Sequence, residues 1–190
     1  MTNREFYLQR QRAEFPAFLR VVRALPADRV DYKPHERSPS AEQIVWLITG
    51  ELKIGLDAVA NNRAEWRILP PPPMHEMLER FEQWSRELLD LVSRMPEKSW
   101  DRVAYCQFRG TVVLEQPIGV FLWFNLFDGI HHRGQLSAYL HPMGANVPMI
   151  YEPSSESALV ANDYPATALT GSSAVADLAF SVSWFRSRTT

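Results

Sequence analysis

Asp128-Gly-Ile-His-His-Arg-Gly-Gln-Leu-Ser-Ala-Tyr-Leu140 is the stretch on which the reading of this chain turns. It continues an apolar run that begins near Val120. Pro117 suits a first helical turn, while Pro142 and Gly144 end the pattern, so the spacing predicts a helix from about 117 to 140. On such a helix Asp128 and His132 stand one turn apart on one face. A carboxylate and an imidazole placed in that way can share a divalent metal. His131 points about 100° away around the helix, so the two adjacent histidines do not easily serve one site.

Working outward, three more helical patterns appear. The first runs from about Arg4 to Leu25, with Phe6, Phe15, Phe18, Leu19 and Val22 near helical spacing and Pro26 as its stop. Pro16 inside it predicts a kink or a break. After the polar connector from Asp31 to Ser40, Ser40 and Gln43 read as a capping box that opens a second helix through about Asn61. Its apolar stripe is Ile44, Leu47, Ile48, Leu52 and Leu56. Pro70 to Pro73 form a stiff extended spacer. A third helix follows from Met74 to Arg94, with Met77, Phe81, Trp84, Leu88, Leu89 and Val92 as its buried face. Between about Glu97 and Gln116 the pattern changes to a short hairpin or an irregular crossover. Four helices with a long third connection imply an all-α bundle that is not the simple up-down-up-down kind. Small and polar residues dominate after Pro153, so 1–153 is read as the bundle and 154–190 as a C-terminal extension rather than a second domain. Within that extension, Ala174 to Phe185 is apolar enough to dock on the body or on a partner.

Composition narrows the function. The chain has 190 residues, 46% of them hydrophobic, and 20 basic against 22 acidic side chains. Such balance gives no electrostatic footprint for nucleic acid or an anionic membrane. Cys106 is the single cysteine, which excludes an intrachain disulfide and a cysteine zinc cluster. The first residues lack a signal-peptide pattern, and no window approaches the roughly 20 apolar residues of a spanning helix. These features lead to the expectation of a cytoplasmic protein.

The stretch His131-His-Arg-Gly-Gln-Leu-Ser-Ala-Tyr-Leu140, with Gly144, Pro148, Tyr151 and Pro153-Ser154, closely resembles the end of the DinB/YfiT-like superfamily. Tyr32-Lys-Pro34, Ser38 and Ser40-Ala-Glu-Gln-Ile-Val-Trp46 resemble that family's entry into its second helix. The resemblance implies a four-helix bundle of up-down-down-up topology with a long crossover before the last helix. It also implies a divalent metal, often nickel or zinc, held by three histidines, one on the second helix and two on the last. Relatives include thiol-dependent S-transferases and a maleylpyruvate isomerase, and they are often dimers, so a homodimer is possible here. This chain departs from the pattern. Leu47 occupies the second-helix histidine position and Asp128 the earlier last-helix one, leaving His132 as the only matching ligand.

The candidate metal ligands are therefore His132, Asp128 and Glu51. Glu51 lies one turn beyond Leu47 on the same face, where it can supply an oxygen; the alternative is a solvated carboxylate beside Lys53. Asp128 needs a cation or donors if buried, and His132 itself could serve as that partner. Asn125, Trp46, Trp123 and Phe124 are candidate walls of the same cavity. Arg133, Gly134 and Gln135 read as architectural, Gly134 by letting a neighbouring helix approach. Cys106 reads as a small apolar residue rather than a nucleophile. Two functions stand side by side. One is a divalent-metal-dependent enzyme of thiol S-transferase or hydrolase type, with a weakened site and an unknown small-molecule substrate. The other is a non-catalytic small-molecule-binding or interaction protein that kept the fold and lost the metal.

Overall fold

Residues 1–151 are described by a computed structural model in which four long helices carry most of the chain. They are α1 (Asn3–Arg23), α2 (Ala41–Asn61), α3 (Met74–Arg94) and α4 (Ile118–Leu140). The proposed extension, with its Ala174 to Phe185 segment, lies outside the described residues. Thr2 and Ser40 cap α1 and α2 with full capping boxes, each side chain accepting from the N3 amide while Glu5 or Gln43 reaches back. This satisfies donors that a helix start leaves orphaned. Pro16 does not break α1, which is helical throughout. Pro16 and Arg12 are both exposed, so the carbonyl that loses its helical donor faces solvent.

Side-chain pairings set the helix directions. Trp123 donates to Asn3, and Arg133 pairs with Glu14, so α1 and α4 run parallel. Asn125 donates to the Glu51 carbonyl and Tyr139 to the Pro39 carbonyl, so α2 runs opposite to α4. Arg80 lies over Trp46 while Gly55 faces Leu88, which makes α3 parallel to α2. Arg4 reaches Glu97 just beyond α3, and Phe15 stacks on Phe81, so α1 and α3 are antiparallel. The result is the up-down-down-up bundle. α2 packs on α3 and α4, and α1 packs on the same two, so the sequential pair α1 and α2 lies diagonally across the core.

The buried face of α1 is turned from the one that the aromatic spacing suggests. Tyr7, Gln11, Glu14, Phe18 and Val21 point inward, whereas Phe6 is largely exposed. Two polar residues on the inner face hide the stripe from a hydrophobicity reading. On α3, Met77, Phe81, Leu88 and Val92 are buried as expected, while Trp84 and Leu89 are half-buried and Ser85 is enclosed.

A small sheet covers one end of the α2–α4 side. β1 (Arg63–Trp66) leaves α2 through Asn62, which takes the left-handed conformation, and pairs parallel with β2 (Val103–Phe108). β2 and β3 (Thr111–Pro117) form an antiparallel hairpin. Its two-residue turn, Arg109 and Gly110, has φ of 51° and 79°, the positive values that a type I′ turn needs. The long third connection is therefore a hairpin, and β3 feeds directly into α4. Gly119 at that entry lies flat against Trp100: a Cβ there would fall 2.2 Å from the indole, so only glycine lets the ring close over the helix start.

Candidate metal centre

Three side chains from two antiparallel helices meet at mid-bundle. Glu51 comes from α2, and Asp128 and His132 come from α4. One ligand atom from each lies within 4.8 Å of the other two. His132 Nε2 is 3.5 Å from Asp128 Oδ2, the separation that one helical turn on a shared face provides. The structure thus brings together the three residues singled out from the sequence.

Their environments differ. Glu51 is 4% exposed, and both of its carboxylate oxygens are buried without a hydrogen-bond partner. Lys53 pairs with Asp57 instead, so the solvated alternative for Glu51 does not hold. Asp128 and His132 are partly exposed and mark the outer edge of the site. Burial, followed by the proximity of the Asp128 carboxylate, pushes the Glu51 carboxyl up to about 10. A Glu51 carboxyl that keeps its proton can donate it to Asp128, and the Asp128 charge further opposes its loss.

Glu51 can approach α4 because position 129 has no side chain. A Cβ there would stand 3.4 Å from Glu51 Oε2 and 3.2 Å from the Phe18 ring. Close helix approach is thus the role of Gly129 rather than of Gly134, around which there is open space. Asn125 anchors the opposite helix by donating to the Glu51 carbonyl at 3.1 Å.

Beside Glu51 lies a cavity of about 20 Å³, room for a single water. Tyr7, Gln11 and Asn125 line it with polar groups; Phe18, Ile48, Leu52, Phe81, Leu88 and Leu126 supply apolar wall. Asn125 thus lines the cavity as expected. Trp46, Trp123 and Phe124 lie outside its lining. Trp123 packs instead on Phe6, Tyr7 and Phe127, and Phe124 is exposed. Tyr7 and Gln11 are the residues that sequence reading missed. Their one signal is the i, i+4 spacing that sets both on one face of α1. Burial pushes the Tyr7 hydroxyl above its ordinary value.

The donor set fits a divalent cation. Two oxygen donors and one imidazole nitrogen converge, and the two orphaned Glu51 oxygens are the kind of buried polar atoms that a cation would satisfy. Among the described residues, no other histidine and no cysteine joins the group. His35, His75, His131 and His141 are exposed. Cys106 is buried in β2, and burial pushes its thiol up.

The DinB family model matches residues 1–163. The chain belongs to the DinB family. Solved structures share the fold of this DinB-family chain. A DinB-like protein from Bacillus cereus is 18% identical, with a TM-score of 0.63 over 77% of this chain and 97% of that one. A DinB-like protein from Bacillus subtilis is 17% identical, with a TM-score of 0.60 over 76% and 96%. YfiT from Bacillus subtilis, a probable metal-dependent hydrolase with an unusual four-helix bundle topology, is 9% identical, with a TM-score of 0.52 over 73% and 87%. Comparison with curated proteins gives no match. Among the described residues, no helix is long and apolar enough to cross a membrane.

Proposed function

We propose that Glu51, Asp128 and His132 hold a divalent cation and that the protein is a metal-dependent hydrolase acting on a small-molecule substrate. The observation that carries this reading is the buried Glu51 carboxyl, both oxygens unpartnered, facing an aspartate and a histidine whose donor atoms lie within 4.8 Å. Desolvating a carboxylate without a partner is costly, and a cation removes that cost. The description of YfiT as a probable metal-dependent hydrolase agrees with the reading.

A divalent ion held there would supply Lewis acidity, polarising a substrate oxygen or lowering the pKa of water. The residues around it define the rest. Asp128 and His132, at the partly exposed edge, face the side from which a substrate arrives. Glu51 forms the buried floor. The cavity beside Glu51 has room for a single water, which favours water over a bulkier thiol as the attacking group. Two carboxylates and one imidazole are a harder set than three histidines, which favours manganese over nickel, while zinc accepts either set.

The test is metal content by plasma mass spectrometry on untagged protein loaded separately with zinc, manganese and nickel. Near one equivalent of zinc or manganese, lost in His132→Ala with the helical signal intact, is the expected result. No bound metal under any loading would retire the enzyme reading.

A second reading has its own support, that of a fold-preserved small-molecule-binding or interaction protein. The α2–α4 pairings set Leu47 opposite the turn between Asp128 and His132, where a half-buried apolar side chain takes the place of a donor. Its test is Leu47→His. Zinc affinity measured by calorimetry should rise at least about tenfold if only that donor is missing. No gain would mean that the backbone at that level is no longer spaced for a ligand.

A further inference from the structure

We infer that Gln135 and Tyr139 are positioning residues that fix the tautomer of His132, so that its Nε2 lone pair is turned toward Glu51 and Asp128. The inference rests on the metal-site reading for its purpose but not for its geometry.

The inference follows from a chain of three hydrogen bonds with only one consistent direction. It ends at the Pro39 carbonyl, which can only accept. The Tyr139 hydroxyl lies 3.1 Å from that carbonyl and therefore donates its single proton there. Its oxygen is left as an acceptor, so the Gln135 group 3.3 Å away must be the amide nitrogen. That assignment turns Gln135 Oε1 toward His132 Nδ1, 3.1 Å away. An amide oxygen only accepts, so Nδ1 carries the proton. In the neutral ring Nε2 is then unprotonated, and Nε2 is the nitrogen that faces Asp128 Oδ2. The 3.5 Å separation there is too long for an N–H···O bond to compete for the proton.

This matters because a free neutral imidazole prefers its proton on Nε2, the reverse of what a ligand at Nε2 requires. Metal-ligating histidines commonly have the other ring nitrogen tied to an outer partner that sets tautomer and ring orientation. Here the tie runs down α4 at positions 132, 135 and 139, successive turns of one face, and crosses to the residue before the Ser40 cap of α2. Tyr139 is itself buried and held edge-on by Tyr32, so the far end of the relay is rigid. The relay therefore connects the start of one ligand-bearing helix to the ligand of the other. It also accounts for a glutamine three residues after the histidine without giving that glutamine any contact with substrate.

The decisive experiment reads the tautomer directly. Long-range nitrogen–proton correlation spectra of ¹⁵N-histidine-labelled, metal-free protein at pH 8.5 should show His132 protonated on Nδ1 and bare on Nε2. In Gln135→Leu, of similar size but with no acceptor, the proton should move to Nε2. Zinc affinity by calorimetry should then fall about 10–100-fold. Gln135→Glu, which restores an acceptor, should restore the Nδ1 proton. A wild-type ring protonated on Nε2, or a tautomer unchanged by Gln135→Leu, would overturn the inference. If wild-type protein takes up no zinc but shows the Nδ1 proton and the Gln135→Leu shift, the relay stands and the metal function is what falls.

Discussion

Metal-free Glu51→Gln should unfold about 6–12 °C above the parent chain at pH 8, and the difference should vanish as the pH falls toward 4.5. The direction follows from proton linkage. Glu51 ionises at its ordinary value near 4.5 in the unfolded chain, but burial and Asp128 push it up to about 10 in the folded one. Between those values the folded state holds a proton that the unfolded state has lost, so stability falls steadily as pH rises through the window. At pH 8 the accumulated cost is roughly 3 kcal/mol once partial water access to a buried group is allowed for. Glutamine has the same shape, carries no charge and can donate to Asp128, so it removes both the cost and the slope. Thermal unfolding from pH 5 to 9 followed by circular dichroism tests this. Parallel curves for the two proteins would show that Glu51 is not held neutral. The same linkage bears on the metal: at pH 8 uptake must displace about one proton from Glu51, a release that calorimetry in buffers of different ionisation enthalpy would read.

That prediction depends on a residue whose importance was only half visible in the sequence. Asp128 and His132 declare themselves because both sit on one helix, where a four-residue spacing fixes their relation without any tertiary knowledge. Glu51 sits on another helix, and its burial depends on how α2 is rotated against α4. That rotation in turn depends on Gly129 leaving space beside Phe18. Periodicity cannot report a rotation between elements, so Glu51 beside Lys53 reads more readily as a solvated carboxylate. The helices themselves were legible because caps and stops are local: Ser40 with Gln43 and the boundaries Met74 and Arg94 fall where their neighbours put them. β1 was not legible. Arg63-Ala-Glu-Trp66 is short and mostly polar, and it becomes a strand only because β2, about forty residues later, offers it a parallel edge. Tyr7 and Gln11 escaped for the same reason as Glu51: polar residues on an amphipathic helix read as its wet face until a neighbouring helix encloses them.

The strongest structural dependence lies on the other side of α4. Arg133→Met should cost about 3–5 kcal/mol of unfolding free energy, measured by urea denaturation, and the double variant Glu14→Leu with Arg133→Met should recover more than half of it. Glu14 is 0% exposed and Arg133 2%, and their side chains meet at 2.6 Å. Burial alone would raise the Glu14 carboxyl. Hydrogen bonds from Tyr151 and Arg133, the Arg133 charge and a contact from Arg10 outweigh it and hold the group below its ordinary value. Arg133 also lies over the Phe18 and Tyr151 rings, with its carbon 4.9 and 5.0 Å from their centres. Removing the guanidinium leaves a carboxylate enclosed in the α1–α4 seam, with Tyr151 and the half-exposed Arg10 as its remaining partners among the described residues. That stranded charge, rather than the lost attraction, makes up most of the expected cost. Removing both charges abolishes the penalty on each side, which is why two substitutions should harm the fold less than one. A double variant as unstable as the sum of its single changes would mean zero coupling between the two side chains, so that the stranded charge is not the source of the cost. The consequence reaches the proposed metal site, because Phe18 is shared: it lies under the Arg133 guanidinium and against Gly129, beside Glu51. Arg133→Met should therefore loosen the floor on which Glu51 rests, so that a fall in zinc affinity accompanies the fall in stability.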